Sequence, residues 1–594
     1  MTSIQCLRLL RPAIRAPRVV SPFQSFHVGR PSGTSRLEQD GAKEWTRKGA
    51  VSESQDGDAT QDQSVRTSEF KKLRETMLAE ASKEGLIKET HPRLVHRSKH
   101  KSVPAFRKLN SKEKLEALNE EDIVTLYGRV QSIRSHGNKL MFVTIVNEFE
   151  KVQGMINYRT LSQQKDLSPY AFRMFGRMIE KGDHISLTGL PTRTKTGELT
   201  VQVITLPELL SPTMEPIPET LTDPETRSQK RHLDMIVNPE VADVLRLRSH
   251  ITKYMRDYFH ERQFLEFQTP ILAENAGGAV ARSFTTTATE FPSKELSLRI
   301  APELWLKRLV VGGVHNVFEI GPAFRNEGID ATHNPEFTMC EFYSAYTTLP
   351  ELISRTEELL GGLAQHCNDL ISTDLTSLQP IDAAKFKGPY KQLEFIPALE
   401  SRLRFRFPKL TGRDAYPELL AALSLSGIEI PGGMPQTMPK LLDRLAAIYL
   451  EPKSFDGPLF LTHHPACMSP LAKTFLCPKT LQLVSARTEL FVDGRELANM
   501  YEEENDPVAQ ARKLAEHRVL GTGKDVEEEA ARDAPLDRNY IKALEAGLPP
   551  TGGWGCGVER LVMMFSGASR ISDCLSFGTL RNVVGLTSER PESS

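Results

Sequence analysis

The sequence predicts a multidomain α+β protein in which a small β-barrel precedes a larger domain of mixed strands and helices. Two patterns indicate this class. Apolar and polar residues alternate between about residues 123 and 206, whereas helical and strand-like segments follow each other beyond residue 240. The chain has 594 residues, of which 39% are hydrophobic and 25% charged, and this composition suits a globular protein of several domains.

The first 37 residues differ from the rest of the chain. They contain six arginines and no Asp, Glu or Lys, and Leu7, Leu9, Leu10 and Ile14 lie among the arginines at roughly helical spacing. A basic, acid-free amphipathic start is typical of a mitochondrial transit peptide, which predicts the mitochondrial matrix as the destination. A disordered basic arm is the alternative. Without residues 1–37 the formal net charge would change from −1 to −7, because six arginines are lost.

Two polar segments follow the leader. Residues 38–67 are nearly free of aliphatic side chains and are predicted to be a disordered linker, because they cannot offset the entropy cost of ordering. Residues 68–120 are predicted to form a helical extension. Within it a helix is predicted from Ser68 to about Glu89, where apolar residues recur at intervals of three and four: Phe70, Leu73, Met77, Leu78 and Ala81.

Residues 121–212 are predicted to form the barrel. Glycine-bearing turns at 136–138 and 195–197 separate short strands with period-two patterning, and such strands suggest an OB-fold. The Pro-rich stretch 211–218 is then predicted to be a hinge. The five predicted strands cover residues 124–133, 139–147, 152–158, 184–194 and 199–206.

The remaining residues, 213–590, are predicted to form a sheet domain with helices. Strands are predicted at 315–324 and 489–494, whereas the Pro-rich residues 373–435 are not assigned. An amphipathic helix is predicted from Val244 to Glu261, with four residues on its buried face: Leu245, Ile251, Met255 and Phe259.

Charge and cysteine content exclude some classes of protein. A net charge of −1 argues against a globally basic nucleic-acid binder but leaves room for a local basic surface. The seven cysteines form no CxxC pair, so neither a disulfide framework nor a structural zinc site is predicted, and a reducing compartment fits better. No run of 18 or more apolar residues occurs, so no membrane association is expected.

Two segments carry candidate chemistry. In the first, Arg325 and Glu327 are two residues apart, which would place them on one face of a strand. Arg325 could then hold a phosphate or carboxylate while Glu327 accepts from an amine; surface ion pairs around a hairpin are the alternative. In the second, alternate glycines in residues 552–557 would let a ligand approach, and Arg560 would begin a helix. A glycine-rich packing strand is the alternative there.

These segments resemble a known family. Residues 324–343, FRNEGIDATHNPEFTMCEFY, look like motif 2 of the class II aminoacyl-tRNA synthetases, and residues 553–565, GWGCGVERLVMMF, look like motif 3. FLEFQTPIL, with Pro270, is similar to motif 1, which in the family builds the dimer interface. LRIAPELWLKRLVVGG, GRELANMYEEENDP, MSPLAK and ALEAGLPPTGG resemble lysyl-tRNA synthetases in particular. The resemblance runs from about Val124 to Val584 and is weak near 373–435.

The resemblance implies a fold and an activity. Residues 213–590 would be a class II catalytic domain, an antiparallel sheet flanked by helices, and residues 121–212 an anticodon-binding OB-fold. The chain would ligate L-lysine to tRNA(Lys) with ATP and Mg²⁺, through a lysyl-adenylate, as a homodimer. An aspartyl- or asparaginyl-type synthetase and a non-catalytic tRNA-binding descendant are the alternatives.

The resemblance also assigns the ATP contacts. Arg325 would hold the α-phosphate beside the lysine carboxylate, and Arg560 would lie over the adenine and against the γ-phosphate. Phe337 would stack on the adenine, Glu327 would accept from its amine, and His333 would reach the terminal phosphates. No general base is needed because the lysine carboxylate is the nucleophile, so Arg325 and Arg560 would act by positioning and charge stabilisation.

The metal ligands would be two carboxylates. Glu489 and Glu496 would bind Mg²⁺, which prefers hard oxygen donors, and Glu489 would also contact ATP. The two residues are seven apart across the turn 492–494, which suits opposed positions on two strands. Retention of both acids, with Arg325 and Arg560, argues against a non-catalytic protein.

The lysine contacts complete the implied catalytic site. Glu503 and Tyr343 would bind the ε-amine, and Tyr501 would flank the stem. Because a buried unpaired ammonium is costly, a carboxylate there would select lysine, whereas an aspartate enzyme should place a cation. A solvated acid in the run 502–504 is the alternative for Glu503. The further lysine contacts would be Gly278 and Glu303 at the α-amine, Arg325, Glu341 and Asn499.

Two places depart from the family pattern. His463 and His464 stand where the family usually has an acidic residue and a tyrosine, and Glu502 and Glu504 replace a small polar residue and a leucine. A metal site formed by the two histidines is not expected, because adjacent histidines lack a partner cluster.

The barrel would read the anticodon. Phe142 and Gln153 match family positions that recognise its central uridine, and Glu198 is a third candidate. Stacking of a flipped base on an aromatic ring, with its edge read by an amide, is a common mode of single-strand RNA recognition. The alternative for Phe142 is a place in the core of the barrel.

Overall fold

A computed structural model describes residues 59–94, 99–111, 122–163, 167–274, 277–278, 281–522 and 538–584. The predicted transit peptide, 1–37, and residues 38–58 of the predicted linker lie outside this set. The chain divides into two units after Glu69, and the described part of the first unit is the beginning of helix α1 (Ala59–Lys83). This helix begins inside the predicted linker, nine residues earlier than predicted, because residues 59–67 contain no Pro or Gly that would stop it.

The second unit begins with the rest of α1, which packs against the barrel. Leu78 and Ala81 are buried in the same core as the barrel strands, whereas Leu73 is exposed. Arg74 is also buried, and its Nη2 atom lies 2.6 Å from a carboxylate oxygen of Asp183. A buried guanidinium requires such a partner, so the helical extension is fixed to the barrel by an ion pair as well as by apolar contacts.

The barrel is an OB-fold, as predicted. The elements are α2 (Val103–Leu109), β1 (Val124–His136), β2 (Leu140–Asn147), β3 (Glu150–Asn157), α3 (Tyr158–Ser162), α4 (Pro169–Met178), β4 (His184–Arg193), β5 (Leu199–Val203) and β6 (Glu208–Ser211). The strands occur in the sheet order β1-β2-β3-β5-β4-β6, and an additional pairing between β1 and β4 closes the barrel. The five predicted strands are present within a few residues of their expected ends, and the structure adds α3, α4 and β6.

Thr213, near the start of the predicted hinge, is hydrogen-bonded to the ion pair of Arg74 and Asp183. The backbone N–H of Thr213 donates to Asp183 Oδ1 at 2.8 Å, and the Thr213 carbonyl accepts from Arg74 Nε at 3.3 Å. The start of the Pro-rich segment is therefore held by the same ion pair that fixes α1.

The larger domain is built on an eight-stranded sheet. The strands of the domain are β7 (Leu265–Glu266), β8 (Leu272–Ala273), β9 (Thr285–Ala288), β10 (Phe291–Leu298), β11 (Asn316–Phe324), β12 (Glu336–Ala345), β13 (Lys391–Glu394), β14 (Leu459–Thr462), β15 (Thr474–Leu476), β16 (Leu483–Ser485), β17 (Arg487–Val492), β18 (Arg495–Glu502) and β19 (Thr551–Gly557). The order in the eight-stranded sheet is β13-β14-β17-β18-β19-β12-β11-β7, and all neighbours are antiparallel except β13–β14 and β11–β7. Strands β8, β10 and β9 form a second sheet, and β15 pairs with β16 in a third.

Helices flank this sheet, as predicted. They are α5 (Pro224–Gln229), α6 (Arg231–Val237), α7 (Pro239–Glu261), α8 (Glu303–Val311), α9 (Leu349–Thr373), α10 (Phe395–Leu403), α11 (Ala415–Leu425), α12 (Met438–Tyr449), α13 (Pro507–Thr522), α14 (Arg538–Leu544), α15 (Val558–Ser566), α16 (Ile571–Cys574) and α17 (Leu580–Val583). Short 3₁₀ helices cover Ala383–Phe386, Glu451–Asp456 and Ala466–Met468. Within the described residues, no helix combines the length and apolar character needed to cross a membrane.

The two faces of the sheet have different neighbours. Phe318 and Phe342 point into the main core formed with α7, α9 and α15, whereas Val317 and Tyr343 point to the other face, where α8 and α14 lie. Because side chains alternate along a strand, every second residue of β12 is directed away from the main core. The candidate active site lies on that second face.

Helix α7 begins earlier than predicted, and one residue assigned to its buried face is not in the core. It begins at Pro239, five residues before the predicted start, since proline is well tolerated at the first helical position. Leu245 is only half-buried, so its assignment to the buried face was wrong, and Leu247 occupies that face instead. Ile251, Met255 and Phe259 are buried as predicted.

The segment left unassigned, 373–435, contains the end of α9, strand β13 and helices α10 and α11. Together with α12 these helices bury a separate apolar cluster that includes Phe395, Leu399, Leu419 and Leu441. The sequence pattern was weak there because short helices alternate with Pro-rich connections.

Candidate active site

A cavity of about 1510 Å³ opens on the second face of the large sheet. Its walls come from the segment between β11 and β12, from strands β12, β17, β18 and β19, and from α15. Every residue predicted to contact ATP, lysine or magnesium lines this cavity except Glu503: Gly278, Glu303, Arg325, Glu327, His333, Phe337, Glu341, Tyr343, Glu489, Glu496, Asn499, Tyr501 and Arg560.

Arg325 lies at one side of the cavity. The expectation that Arg325 and Glu327 share a strand face was wrong, because β11 ends at Phe324 and both residues belong to the following loop. The guanidinium of Arg325 lies 5.1 Å from the Phe337 ring centre, and its Nε donates to the Ile300 carbonyl at 3.4 Å. Burial lowers the pKa of Arg325. No carboxylate of the described residues is within ion-pair distance, so this cation is available to an anionic ligand.

Arg560 faces the same cavity from the first turn of α15, as predicted. Its Nη1 atom lies 3.0 Å from Glu496 Oε2 and donates to the Glu496 carbonyl at 2.9 Å. Its Nη2 atom lies 3.5 Å from His333 Nε2, and the other ring nitrogen of His333 is 2.9 Å from Asp330. The structure therefore brings together Arg560, His333 and Glu496, which the sequence had assigned to the phosphates and the metal.

The two candidate metal ligands are not directly opposed, and the expected register was wrong. Glu489 is paired with Asn499 and Glu496 with Phe491. The two-residue turn between β17 and β18 already places Glu489 opposite a residue beyond Glu496, and a bulge shifts its partner by one more residue. A bulge adds a residue to one strand and shifts all later partners, which residue spacing alone does not reveal.

Glu489 is nevertheless strongly held as an anion. Arg487 forms an ion pair with it, and His464 Nε2 lies 3.1 Å from Glu489 Oε2. Burial would raise the pKa of Glu489, but Arg487 and His464 outweigh burial and hold it at about 2. His464, one of the departures from the family pattern, is buried, and its ring contacts Glu489, a candidate metal ligand. No cluster of three or more His, Cys, Asp or Glu side chains in the described residues is arranged for metal binding.

Acidic residues and tyrosines form the other side of the cavity. The Tyr343 hydroxyl donates to Glu341 Oε2 at 3.1 Å, and the Tyr501 hydroxyl donates to Glu303 Oε1 at 2.6 Å. Glu303 and Glu341 are both buried. Burial, reinforced by the nearby Glu303, raises the pKa of Glu341 to about 8. This side of the cavity therefore gathers buried acidic groups, and a cationic ligand would favour their ionised forms.

Glu503 is buried behind this side, so the alternative of a solvated acid was wrong. It is 2% exposed and does not line the cavity, and its Oε2 atom lies 2.5 Å from Nζ of Lys307. Lys307 is fully buried and also donates to Glu303 Oε1 at 2.5 Å. The sequence analysis missed Lys307. Its spacing of four residues from Glu303, which places both on one face of helix α8, was the available signal.

Glu502 and Glu504, which also depart from the family pattern, each have a polar partner. Glu504 is buried and forms ion pairs with Lys513 at 2.5 Å and Lys473 at 3.2 Å. Glu502 Oε1 accepts from the backbone N–H of Leu349 at 2.9 Å. Both acidic residues therefore have local partners.

Gly278 and Asn499 complete the lining. Gly278 has a φ of +108°, which disfavours any other residue, and an added Cβ there would lie 3.1 Å from Cβ of Glu303. Asn499 Oδ1 accepts from Arg487 Nε at 3.1 Å. Arg487, like Lys307, was not singled out from the sequence.

The predicted anticodon residues share one face of the barrel. Phe142 is half-buried and lies outside the barrel core that contains Met141 and Val143, so the core alternative was wrong. Gln153 Nε2 donates to Glu198 Oε2 at 3.2 Å. Phe142 pairs with Met155 in the β2–β3 ladder, two residues from Gln153, which places the ring and the amide on the same face.

Comparison with known families agrees with this architecture. Residues 223–581 match the family of tRNA synthetases class II (D, K and N), which covers more than half of the chain. Residues 124–207 match the OB-fold nucleic acid binding domain. The fold and the site therefore define a class II tRNA synthetase of the group that handles aspartate, lysine and asparagine.

Curated relatives narrow the assignment. The chain is 40% identical to "Lysine--tRNA ligase, mitochondrial" of Schizosaccharomyces pombe, over 77% of this chain and 84% of the relative. It is 36% identical to "Lysine--tRNA ligase" of Thermoanaerobacter pseudethanolicus, over 78% and 88%. It is 35% identical to "Probable lysine--tRNA ligase, cytoplasmic" of Encephalitozoon cuniculi, over the same shares. The chain belongs to the lysine–tRNA ligase family.

Proposed function

We propose that this protein activates L-lysine with ATP as lysyl-adenylate and transfers the lysyl group to tRNA(Lys) for translation in the mitochondrial matrix. The observation that carries the proposal is that Arg325 and Arg560, distant in sequence, line one cavity together with Glu303 and Glu341. Cations at one side suit the phosphates, and buried acids at the other suit the two ammonium groups of lysine.

The first step would join the two substrates. An oxygen of the lysine carboxylate attacks the α-phosphorus of ATP, and the bond to the bridging oxygen breaks to release pyrophosphate. Arg325 would lie between the two anionic groups that must meet and would stabilise charge at the α-phosphate. Arg560, beside His333 and Glu496, would hold the terminal phosphates so that pyrophosphate leaves opposite the attacking carboxylate oxygen. In the second step a ribose hydroxyl at the tRNA 3′ end attacks the lysyl carbonyl and AMP leaves.

Magnesium would be held by Glu489 and Glu496. Two carboxylates fit this ion because phosphate oxygens and water can supply the rest of its shell, and Mg²⁺ would neutralise the phosphates when bound. In the structure each carboxylate already faces a cation, Arg487 for Glu489 and Arg560 for Glu496. Glu489 is therefore held as an anion on the cavity wall, and Glu496 lies beside the guanidinium of Arg560.

Substrate choice would follow from the buried charge. The side of the cavity that we propose binds lysine, called the lysine side, is formed by Glu303, Glu341, Tyr343 and Tyr501 with Glu503 behind it. Its three acids outnumber the one buried cation that the described residues place among them, Lys307. Aspartate would bring a further carboxylate into this region, whereas lysine brings two ammonium groups. An aspartyl or asparaginyl enzyme is therefore disfavoured by the charge of the site itself.

The test is ATP–pyrophosphate exchange by the purified chain with each of the twenty amino acids. We expect exchange with lysine and little with aspartate or asparagine. Exchange driven by aspartate would support the aspartyl alternative, and no exchange with any amino acid would support the non-catalytic one. Charging of a tRNA(Lys) transcript, measured in parallel, tests the second step.

A homodimer is part of the proposal. Leu265, Ile271 and Leu272, in or beside the motif 1 segment, are 54%, 41% and 49% exposed. An exposed apolar group of this kind suits a subunit interface. Light scattering should give the mass of a dimer, and Leu272→Lys should shift it toward the monomer.

Delivery to mitochondria would depend on residues 1–37. The basic, acid-free leader supports this destination, and the Schizosaccharomyces pombe relative is named as mitochondrial. Import of the full chain into isolated mitochondria should occur with cleavage, and deletion of residues 1–37 should abolish it. Unchanged import of the truncated chain would refute the leader assignment.

A further inference from the structure

Lys307 is an ammonium buried inside the protein at the edge of the lysine side. It has no exposed surface, and the ring centres of Tyr343, Tyr501 and Tyr540 lie 5.6–5.8 Å from its Nζ atom. A buried ammonium is strongly disfavoured unless it is paired. Lys307 is paired twice, at 2.5 Å from Glu303 Oε1 and at 2.5 Å from Glu503 Oε2.

The double pairing uses one oxygen of each carboxylate. Glu303 Oε1 accepts from Lys307 and also from the Tyr501 hydroxyl, while Glu303 Oε2 lies toward Gly278, 3.7 Å from where a Cβ would be. Glu503 Oε1 lies against Gly553, where an added Cβ would be only 2.0 Å away. Both glycines line the cavity.

The second oxygen of Glu503 is left without a partner. Glu503 Oε1 is buried and has neither a hydrogen bond nor an ion pair with any described residue, whereas the contact of Oε2 is the ion pair with Lys307. Such an atom is costly unless a ligand satisfies it. The absence of a side chain at Gly553 leaves this oxygen next to the cavity wall, although Glu503 itself stays behind that wall.

We propose that Lys307 is a positioning residue for substrate selection, whose ammonium holds one oxygen of Glu303 and one of Glu503 so that their second oxygens face the two amino groups of the substrate. The inference rests on the proposed function, since it takes lysine as the substrate. Lys307 also offsets one of three buried acids, Glu303, Glu341 and Glu503. A substrate with two ammonium groups then matches the remaining charge, whereas an amino acid with one leaves an acid unpaired.

The test uses the full chain and ATP–pyrophosphate exchange with separate titrations of lysine and ATP. Lys307→Met keeps the length of the side chain and removes its charge. We expect the KM for lysine to rise about tenfold or more, as for loss of a hydrogen bond to a charged group, with the KM for ATP within about twofold. Lys542→Met, on the exposed side of the neighbouring helix α14, is the matched control and should change neither constant.

A double variant separates positioning from general stability. If Lys307 acts partly through Glu503, then Lys307→Met combined with Glu503→Gln should raise the lysine KM by less than the product of the two single increases, because Glu503→Gln already removes part of what Lys307→Met disturbs. The double variant also leaves no buried carboxylate at position 503 without its cation, so it keeps the test open if Lys307→Met alone does not fold.

The outcomes distinguish the two claims. An unchanged lysine KM in Lys307→Met, a parallel rise of the lysine and ATP constants, or additive effects in the double variant would each overturn the role of Lys307. Absence of lysine-dependent exchange in the unmodified chain would instead refute the proposed function.

Discussion

The two sides of the cavity hold their charges in different ways. At the side proposed to bind ATP, the nucleotide side, Arg560 and Glu496 form an ion pair whose side chains are 30% and 35% exposed. At the side proposed to bind lysine, the lysine side, Lys307 and Glu503 form one whose side chains are not exposed at all. Both pairs join a cation to a carboxylate at 3.0 Å or less, so burial is the main difference between them.

This difference indicates two tasks. A partly exposed ion pair contributes little to stability. Arg560 could therefore leave Glu496 for a phosphate, and Glu496 could leave Arg560 for a metal ion, at a small cost in free energy. A buried pair is costly to disturb, because removal of one member leaves a desolvated charge. The nucleotide side is therefore suited to bind and release a polyanion, and the lysine side to discriminate between side chains. The predictions below test this contrast.

The largest effect is expected at Arg325, which has no carboxylate partner in the described residues and should act on the reacting phosphate. Arg325→Ala should lower the exchange rate by roughly 10³–10⁵-fold, the range seen for arginines that stabilise phosphoryl transfer. Circular dichroism should show an unchanged fold. Arg512→Ala, whose side chain is 69% exposed on α13, is the control and should retain activity. Near-normal exchange by Arg325→Ala would refute its role.

Glu503→Gln should weaken the binding of lysine and leave the binding of ATP unchanged. Loss of one member of a buried charge pair costs about 2–5 kcal/mol, so the lysine KM should rise roughly 30- to 4000-fold while the ATP KM stays similar. Glu502→Gln is the matched control in the same acidic run, because its amide oxygen can still accept from Leu349. Steady-state exchange kinetics measure both constants. A normal lysine KM would contradict the part assigned to Glu503.

Phe142→Ala should leave both sides of the cavity intact. Stacking of a base on an aromatic ring is worth about 1–3 kcal/mol, so the KM for tRNA(Lys) in aminoacylation should rise roughly 5- to 150-fold. Pyrophosphate exchange without tRNA should be unchanged. Phe149→Ala, an exposed ring in the turn between β2 and β3, serves as the control. A fall in exchange would show that the barrel residue supports the fold rather than the anticodon.

The smallest effect concerns pH. Glu341 has a pKa of about 8 in the free cavity, so it is largely protonated at pH 7, and a bound ammonium favours its ionised form. Lysine binding should therefore release a proton and tighten as pH rises, by about fivefold between pH 7 and 8, and then level off. Calorimetry of lysine binding without ATP measures this slope. Glu341→Gln should flatten it, and affinity that weakens over this interval would contradict the assignment.

The sequence predicted features that depend on local pattern. Alternating residues such as Met141 and Val143 defined the barrel strands, and the motifs containing Arg325 and Arg560 located the cavity. Features that depend on distant partners were missed. The turn between β17 and β18 and the bulge in their pairing together take Glu489 and Glu496 out of register, and nothing in the spacing of the two residues reveals either.

Lys307 is the clearest example of this limit. In LWLKRLVV it resembles the polar stripe of an amphipathic helix, and such lysines are usually solvated. Its burial depends on Glu503, which comes from a strand far along the chain. The start of α1 was misjudged because no breaker marks it, and the start of α7 was misjudged because the proline at its first position was not taken as a start signal.

The contrast between the two sides of the cavity is tested most directly by comparing L-lysine with L-norleucine, which keeps the four-carbon stem but lacks the terminal ammonium. The measurement is kcat/KM for pyrophosphate exchange by the unmodified chain. Buried carboxylates that need an ammonium should favour lysine by at least about 10³-fold. Comparable values for the two amino acids would contradict recognition of lysine by buried charge.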